Sequence, residues 1–87
     1  MVRPNPWIEI FTMPTCPDCL ALKRWFNERG IPFVERDLRD PATADEARTR
    51  TGLRIAPITV IDGSVFYGTF AGQVRGIEVA LANRKAA

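Results

Sequence analysis

The chain has 87 residues, 46% of them apolar and 25% charged, with a formal net charge of +2. That length suits one folded domain, taken as residues 1–87, and the composition is that of a globular protein rather than a disordered one. The ten Arg and two Lys are scattered, so no nucleic-acid surface is expected, and no apolar run approaches the roughly 18 residues of a membrane span.

Met1-Val2-Arg3-Pro4-Asn5-Pro6 lacks the apolar stretch of a signal peptide and reads as an extended lead-in. Residues 7–12, Trp-Ile-Glu-Ile-Phe-Thr, form a short and mostly apolar strand, as expected when both faces are covered. Pro14 closes it. A helix is expected from about residue 19 to residue 29, with Pro17 suited to its first turn and Gly30 and Pro32 as stops. Residues 33–37 give a second strand, parallel to the first through a right-handed crossover. A second helix, capped by Asp40 or Thr43, runs to about Thr51 and stops at Gly52, although its apolar face is weak. Residues 58–61 are a third strand, and Asp62-Gly63 turns the chain into a fourth at 65–67. The last helix carries Val74, Ile77 and Leu81 on one face, with Arg84 and Lys85 at its negative end and residues 84–87 expected to fray. Trp7, Phe11, Trp25, Phe26, Phe33 and Phe66 are assigned to the core, and Tyr67 and Phe70 to packing beneath the last helix.

The order β-α-β-α-β-β-α predicts an α/β fold with a central mixed four-stranded sheet flanked by three helices. An early Cys-x-x-Cys at the start of the first helix of such a pattern signals a thioredoxin-like redox site. Cys16 falls at the strand-to-helix junction and Cys19 one turn later, on one helical face with it. The helix start favours a thiolate at Cys16, while the Asp18 carboxylate close by opposes it. Cys19 shares a face with Leu22 and Phe26 and is turned inward. Cys16 is therefore expected to be the nucleophile and Cys19 the shielded resolving thiol, exchanging a disulfide with a substrate. No metal site is expected within one chain. Tetrahedral zinc wants four ligands, the sequence has two Cys and no His, and a metal or iron–sulfur module would need a dimer or an outside thiol. The expected address is the cytoplasm, where structural disulfides are rare and a close cysteine pair is redox-active or metal-binding.

Thr12-Met13-Pro14-Thr15-Cys16-Pro17-Asp18-Cys19 resembles the active-site segment of dithiol glutaredoxins, and Thr51-Gly52-Leu53-Arg54-Ile55-Ala56-Pro57-Ile58 resembles their second landmark, a loop ending in a cis-proline that faces the cysteines. The resemblance covers most of the chain. It implies that Pro57 is cis and that the Ala56 backbone pairs with an extended thiol substrate. It also implies that Thr15, Pro17, Asp18, Arg54, Gly68 and Thr69 complete the substrate or glutathione side, Arg54 and Thr69 facing a carboxylate. Glutathione enters as a co-substrate, with no tightly bound cofactor. Met13 stands where glutaredoxins usually carry Lys, Asp18 where they often carry Tyr, and Gly68-Thr69-Phe70-Ala71-Gly72-Gln73 replaces their paired glycines and Asp. In these departures the chain is similar to NrdH-type redoxins, which take electrons from thioredoxin reductase and serve ribonucleotide reductase. It has Phe66-Tyr67-Gly68-Thr69-Phe70 in place of their Trp-Ser-Gly-Phe-Arg. The function implied is a monomeric thiol–disulfide oxidoreductase acting on protein or small disulfides, with glutathione or thioredoxin reductase as donor. The alternatives are a dimeric iron–sulfur or metal-binding module and a redox-sensing interaction domain.

Overall fold

In the computed structural model, which describes residues 7–86 and their side chains as far as Asn83, the elements are β1 (Ile8–Thr12), α1 (Pro17–Glu28), β2 (Val34–Asp37), α2 (Pro41–Thr51), β3 (Ile58–Ile61), β4 (Ser64–Tyr67) and α3 (Phe70–Ala86). The lead-in expected for residues 1–6 and the side chains of Arg84 and Lys85 lie outside the described residues. The sheet order is β2-β1-β3-β4, with β1 and β2 parallel and the other two pairs antiparallel. This is the mixed four-stranded sheet and the thioredoxin-like order that the sequence predicts. No helix among the described residues is long and apolar enough to cross a membrane.

Strand alternation sorts the core into two layers. Ile8, Ile10 and Ile61 pack with Leu22, Trp25 and Phe26 of α1 and Ile77 of α3. Phe11, Ile58 and Val60 face the other way, against Ala47 of α2. Since β1 is covered on both sides, all five of its residues are buried, which is why it carries no clean polar alternation.

Local chemistry sets the ends of the elements. Asp40 rather than Thr43 is the N-cap of α2: its Oδ2 accepts from the Thr43 N–H at 3.2 Å and from the Thr43 hydroxyl at 2.9 Å. Gly52 (φ 74°) ends that helix in the left-handed region, where a Cβ is strained. Asp62 and Gly63 both have positive φ, the conformation of a two-residue hairpin turn. The first helix begins at Pro17, two residues earlier than expected. The fixed φ of proline suits the first turn, and the Cys16 side chain supplies the cap.

The expectation for Tyr67 changes. Tyr67 does not pack beneath the last helix; it is 58% exposed. In β4 it is Phe66 that packs on the α1–α3 side, and alternation turns Tyr67 away from it. Helix α2, whose apolar face is weak, buries only Thr43 and Ala47 and is also tied to the sheet by charge. Glu9, on β1, accepts from Arg50 Nη2 and Arg36 Nη1, each at 2.7 Å, and both guanidiniums also reach Glu46 of α2. The Arg50 guanidinium first, and Arg36 after it, hold the Glu9 carboxyl below its ordinary range. Arg36 and then Arg50 take Glu46 down to about 2.

Candidate active site

One end of the sheet gathers the chemistry. Phe11 pairs with Ile58 and Ile58 with Tyr67, so the chain leaving β1, the chain entering β3 and the chain leaving β4 converge there. The first of these is the cysteine turn. The Cys16 N–H donates to the Met13 carbonyl at 3.3 Å, closing the turn, and the Leu20 N–H donates to the Cys16 carbonyl at 3.2 Å, opening α1. Cys16 Sγ accepts from the Cys19 N–H at 3.1 Å. The Cys16 sulfur thus occupies the cap position, where a helix start presents free donors and positive potential.

Both cysteines are free thiols, Cys16 half-buried and Cys19 buried. Burial, reinforced by the adjoining Cys16 sulfur, pushes the Cys19 thiol up to about 12. The pair is therefore unequal, one sulfur reachable and one kept protonated behind it. A shallow cleft of about 330 Å³ over the pair is lined by Thr15, Cys16, Pro17, Cys19, Leu20 and Lys23. Lys23 Nζ donates to Glu35 Oε2 at 2.9 Å, and that oxygen also accepts from the Thr12 hydroxyl at 2.7 Å. The Thr12 hydroxyl first, then Lys23, lowers the Glu35 carboxyl below its usual range.

The second segment is Ala56–Pro57, whose peptide bond is cis, as the resemblance implies. Pro57 is fully buried, and its carbonyl accepts from Gln73 Nε2 at 3.0 Å. The same Nε2 donates to the Gly68 carbonyl at 3.0 Å, and Gln73 Oε1 accepts from the Thr59 hydroxyl at 2.8 Å. Gln73 thereby ties the loop before β3 to the turn after β4. In the sequence it shows only as a polar residue four positions before Ile77, on the inward stripe of α3, outside both motifs.

The third segment is Gly68–Thr69. Thr69 Oγ1 accepts from the Gly72 N–H at 3.0 Å and caps α3. The Phe70 N–H, the first of that helix, donates to Asp18 Oδ1 at 2.9 Å. The Asp18 carboxylate thus crosses from the cysteine turn to the positive end of α3, which offsets part of its charge. Arg54 is exposed and lines a groove of about 560 Å³ with Met13, Ile55 and Ala56. Met13 lines both this groove and the cysteine cleft. The structure therefore brings Thr15, Cys16, Pro17, Asp18, Cys19, Ala56, Pro57, Gly68 and Thr69 to one sheet end and sets Arg54 beside them. Among the described residues, no three His, Cys, Asp or Glu side chains form a group that could hold a metal ion.

Comparison with known proteins agrees with this arrangement. A glutaredoxin-like 8.6 kDa protein in the rubredoxin operon of Clostridium pasteurianum is 31% identical over 62 residues, 70% of this chain and 83% of that one. The global transcriptional regulator Spx of Bacillus subtilis is 36% identical over 42 residues, 47% of this chain; the chain spans only 32% of that regulator. The solved structure of the Escherichia coli glutaredoxin-like protein NrdH-redoxin, described as having a thioredoxin-like activity profile, superposes with a TM-score of 0.62 at 30% identity, covering 72% of this chain and 82% of that one. The glutaredoxin family model matches residues 8–66, a span that takes in the cysteine turn, the Ala56–Pro57 loop and all of the first three strands, and the chain belongs to that family of thiol–disulfide redox proteins.

Proposed function

We propose that this chain is a dithiol oxidoreductase that reduces protein or small disulfides through Cys16 and Cys19 in a reducing, cytoplasmic setting. The observation that carries the reading is the asymmetry of the pair: a half-buried Cys16 whose sulfur accepts the Cys19 N–H, in front of a buried Cys19 held at about 12. The Cys16 thiolate attacks one sulfur of the substrate disulfide, forming a mixed disulfide and expelling the other sulfur as a thiolate. Cys19 then attacks the Cys16 sulfur. The Cys16–Cys19 bond forms, the second substrate sulfur departs with the electron pair, and the Cys19 proton passes to a departing thiolate. Glutathione or a thioredoxin-reductase-type flavoenzyme returns two electrons for the next cycle. Thr15, Pro17, Asp18, Arg54, Gly68 and Thr69 shape the substrate side. The Ala56 backbone beside Pro57 offers an edge on which an extended client pairs. The likeness to NrdH-redoxin makes ribonucleotide reductase the first protein client to try.

A coupled assay tests the reading, with NADPH consumption followed in two arms, one supplied with glutathione and glutathione reductase, the other with thioredoxin reductase. Turnover is expected in at least one arm. Cys16→Ser is expected to be inert in both, and Cys19→Ser to keep only monothiol reactions such as deglutathionylation. Activity that survives in Cys16→Ser and vanishes in Cys19→Ser would reverse the two roles.

A second reading draws on the likeness to Spx, itself named a transcriptional regulator. In it the pair acts as a redox sensor, and closing Cys16–Cys19 changes what the surface binds. Partner binding that depends on oxidation, with negligible turnover in both arms, would favour it.

A further inference from the structure

The residue between the two cysteines does more than separate them. Asp18 Oδ1 accepts from the Phe70 N–H at 2.9 Å, so the start of α3 lies within one aspartate side chain of the cysteine turn. A disulfide docked on Cys16 therefore has the positive end of α3 within reach of whatever group it carries next to its sulfur. Free N–H groups at such an end attract carboxylates. Here two are already satisfied from within the chain, the Gly72 N–H by Thr69 Oγ1 and the Phe70 N–H by Asp18. An incoming carboxylate meets an occupied donor and a negative charge together.

The geometry points to Asp18 as a specificity residue that fills the anion-accepting start of α3 with the chain's own carboxylate, turning the site away from anionic thiols of the glutathione kind and toward neutral or cationic disulfides and protein clients. This rests on the dithiol exchange proposed above and assigns its substrate class. Other groups around Cys16 do not restore an anion site. Lys23 is engaged by Glu35, and Arg54 faces the adjoining groove instead of the cysteine cleft.

The test uses the fully reduced protein in single turnover with three small disulfides: cystamine (cationic), bis(2-hydroxyethyl) disulfide (neutral) and glutathione disulfide (anionic). In each, the Cys16 thiolate displaces one thiolate and Cys19 displaces the other, leaving the protein oxidised and two small thiols released, so no further reductant is needed. The readout is the ratio of the second-order rate constant for the anionic disulfide to that for the neutral one. Asp18→Ala, which removes both the charge and the occupied acceptor, is expected to raise that ratio about five- to tenfold, the lost charge and the freed Phe70 N–H acting together. Asp18→Asn keeps an acceptor for the Phe70 N–H and loses only the charge, so its increase should be smaller, about twofold to threefold, and both increases should shrink as salt is raised. An unchanged ratio in both variants overturns the inference, as does an equal rise in the two, which would leave no part for the occupied donor. If the reduced wild-type protein reacts with none of the three disulfides, the dithiol reading itself falls and the substrate class with it. Reaction with all three at a ratio indifferent to residue 18 overturns the substrate class alone.

Discussion

At the scale of single residues, the site depends on a side chain that does no chemistry. Gln73 is 1% exposed, and it uses both ends of its amide, accepting from Thr59 and donating to the Pro57 and Gly68 carbonyls. Gln73→Leu fills a similar space but strands two carbonyl groups and a hydroxyl, and each unsatisfied buried group costs about 1–3 kcal/mol. A net loss of about 2–4 kcal/mol is expected in a urea melt, with exchange activity falling further than global stability because the loop before β3 loses its tie to the turn before α3. An activity loss no larger than the unfolded fraction explains would place Gln73 in the fold alone. The two cysteines were legible because three-residue spacing at a strand-to-helix junction is a local pattern that puts both sulfurs on one helical face. Gln73 and the reach of Asp18 were not. Gln73 reaches Thr59 and Pro57, 14 and 16 positions away, and Asp18 reaches Phe70, 52 away, and a local window of sequence holds no record of those partners.

At the scale of elements, α2 shows where hydrophobic periodicity stops being informative. Its only buried residues are Thr43 and Ala47, so the apolar stripe that announces a helix is missing. The capping residues Asp40 and Gly52 still marked its ends, because capping is local chemistry. Beside the contact of Ala47 with Phe11, Ile58 and Val60, the four-membered charge cluster of Glu9, Arg36, Glu46 and Arg50 ties it to the sheet. The Glu9 side chain is only 11% exposed, against 24% for Arg36 and 36% for Arg50. Glu9→Gln is therefore expected to cost about 1–3 kcal/mol at neutral pH, between the values for exposed and for fully buried pairs. The pH profile supplies the sign. The folded Glu9 carboxyl lies below its ordinary value because of Arg50 and then Arg36, so its contribution is complete above the unfolded value and is lost as pH falls through the folded one. Wild-type and Glu9→Gln melts should converge as the pH drops from about 5 toward 2; a gap that stays constant would mean that the charge of Glu9 plays no part.

At the scale of the whole molecule, redox state and stability are linked through a buried proton. Cys19 is one of the buried residues of α1, at 1% exposed. The fold therefore holds a neutral thiol well and a thiolate poorly: burial, with the Cys16 sulfur adding, raises Cys19 from 9.0 to about 12. Because the folded value is the higher one, the unfolded chain gives up this proton first. The stabilisation is complete below about pH 9 and is lost as pH rises toward 12. The oxidised protein has no proton on Cys19 to lose. Chemical denaturation of both forms from pH 8 to 11 should thus show the reduced form weakening relative to the oxidised form above pH 9, with a slope limited to about 1.4 kcal/mol per pH unit for one proton. Reduced Cys19→Ala should lose this alkaline limb while keeping the loss at acid pH that comes from the carboxylates. Parallel curves for the reduced and oxidised proteins would mean that Cys19 ionises as freely in the fold as out of it, and the shielding assigned to Cys19 would have to be withdrawn.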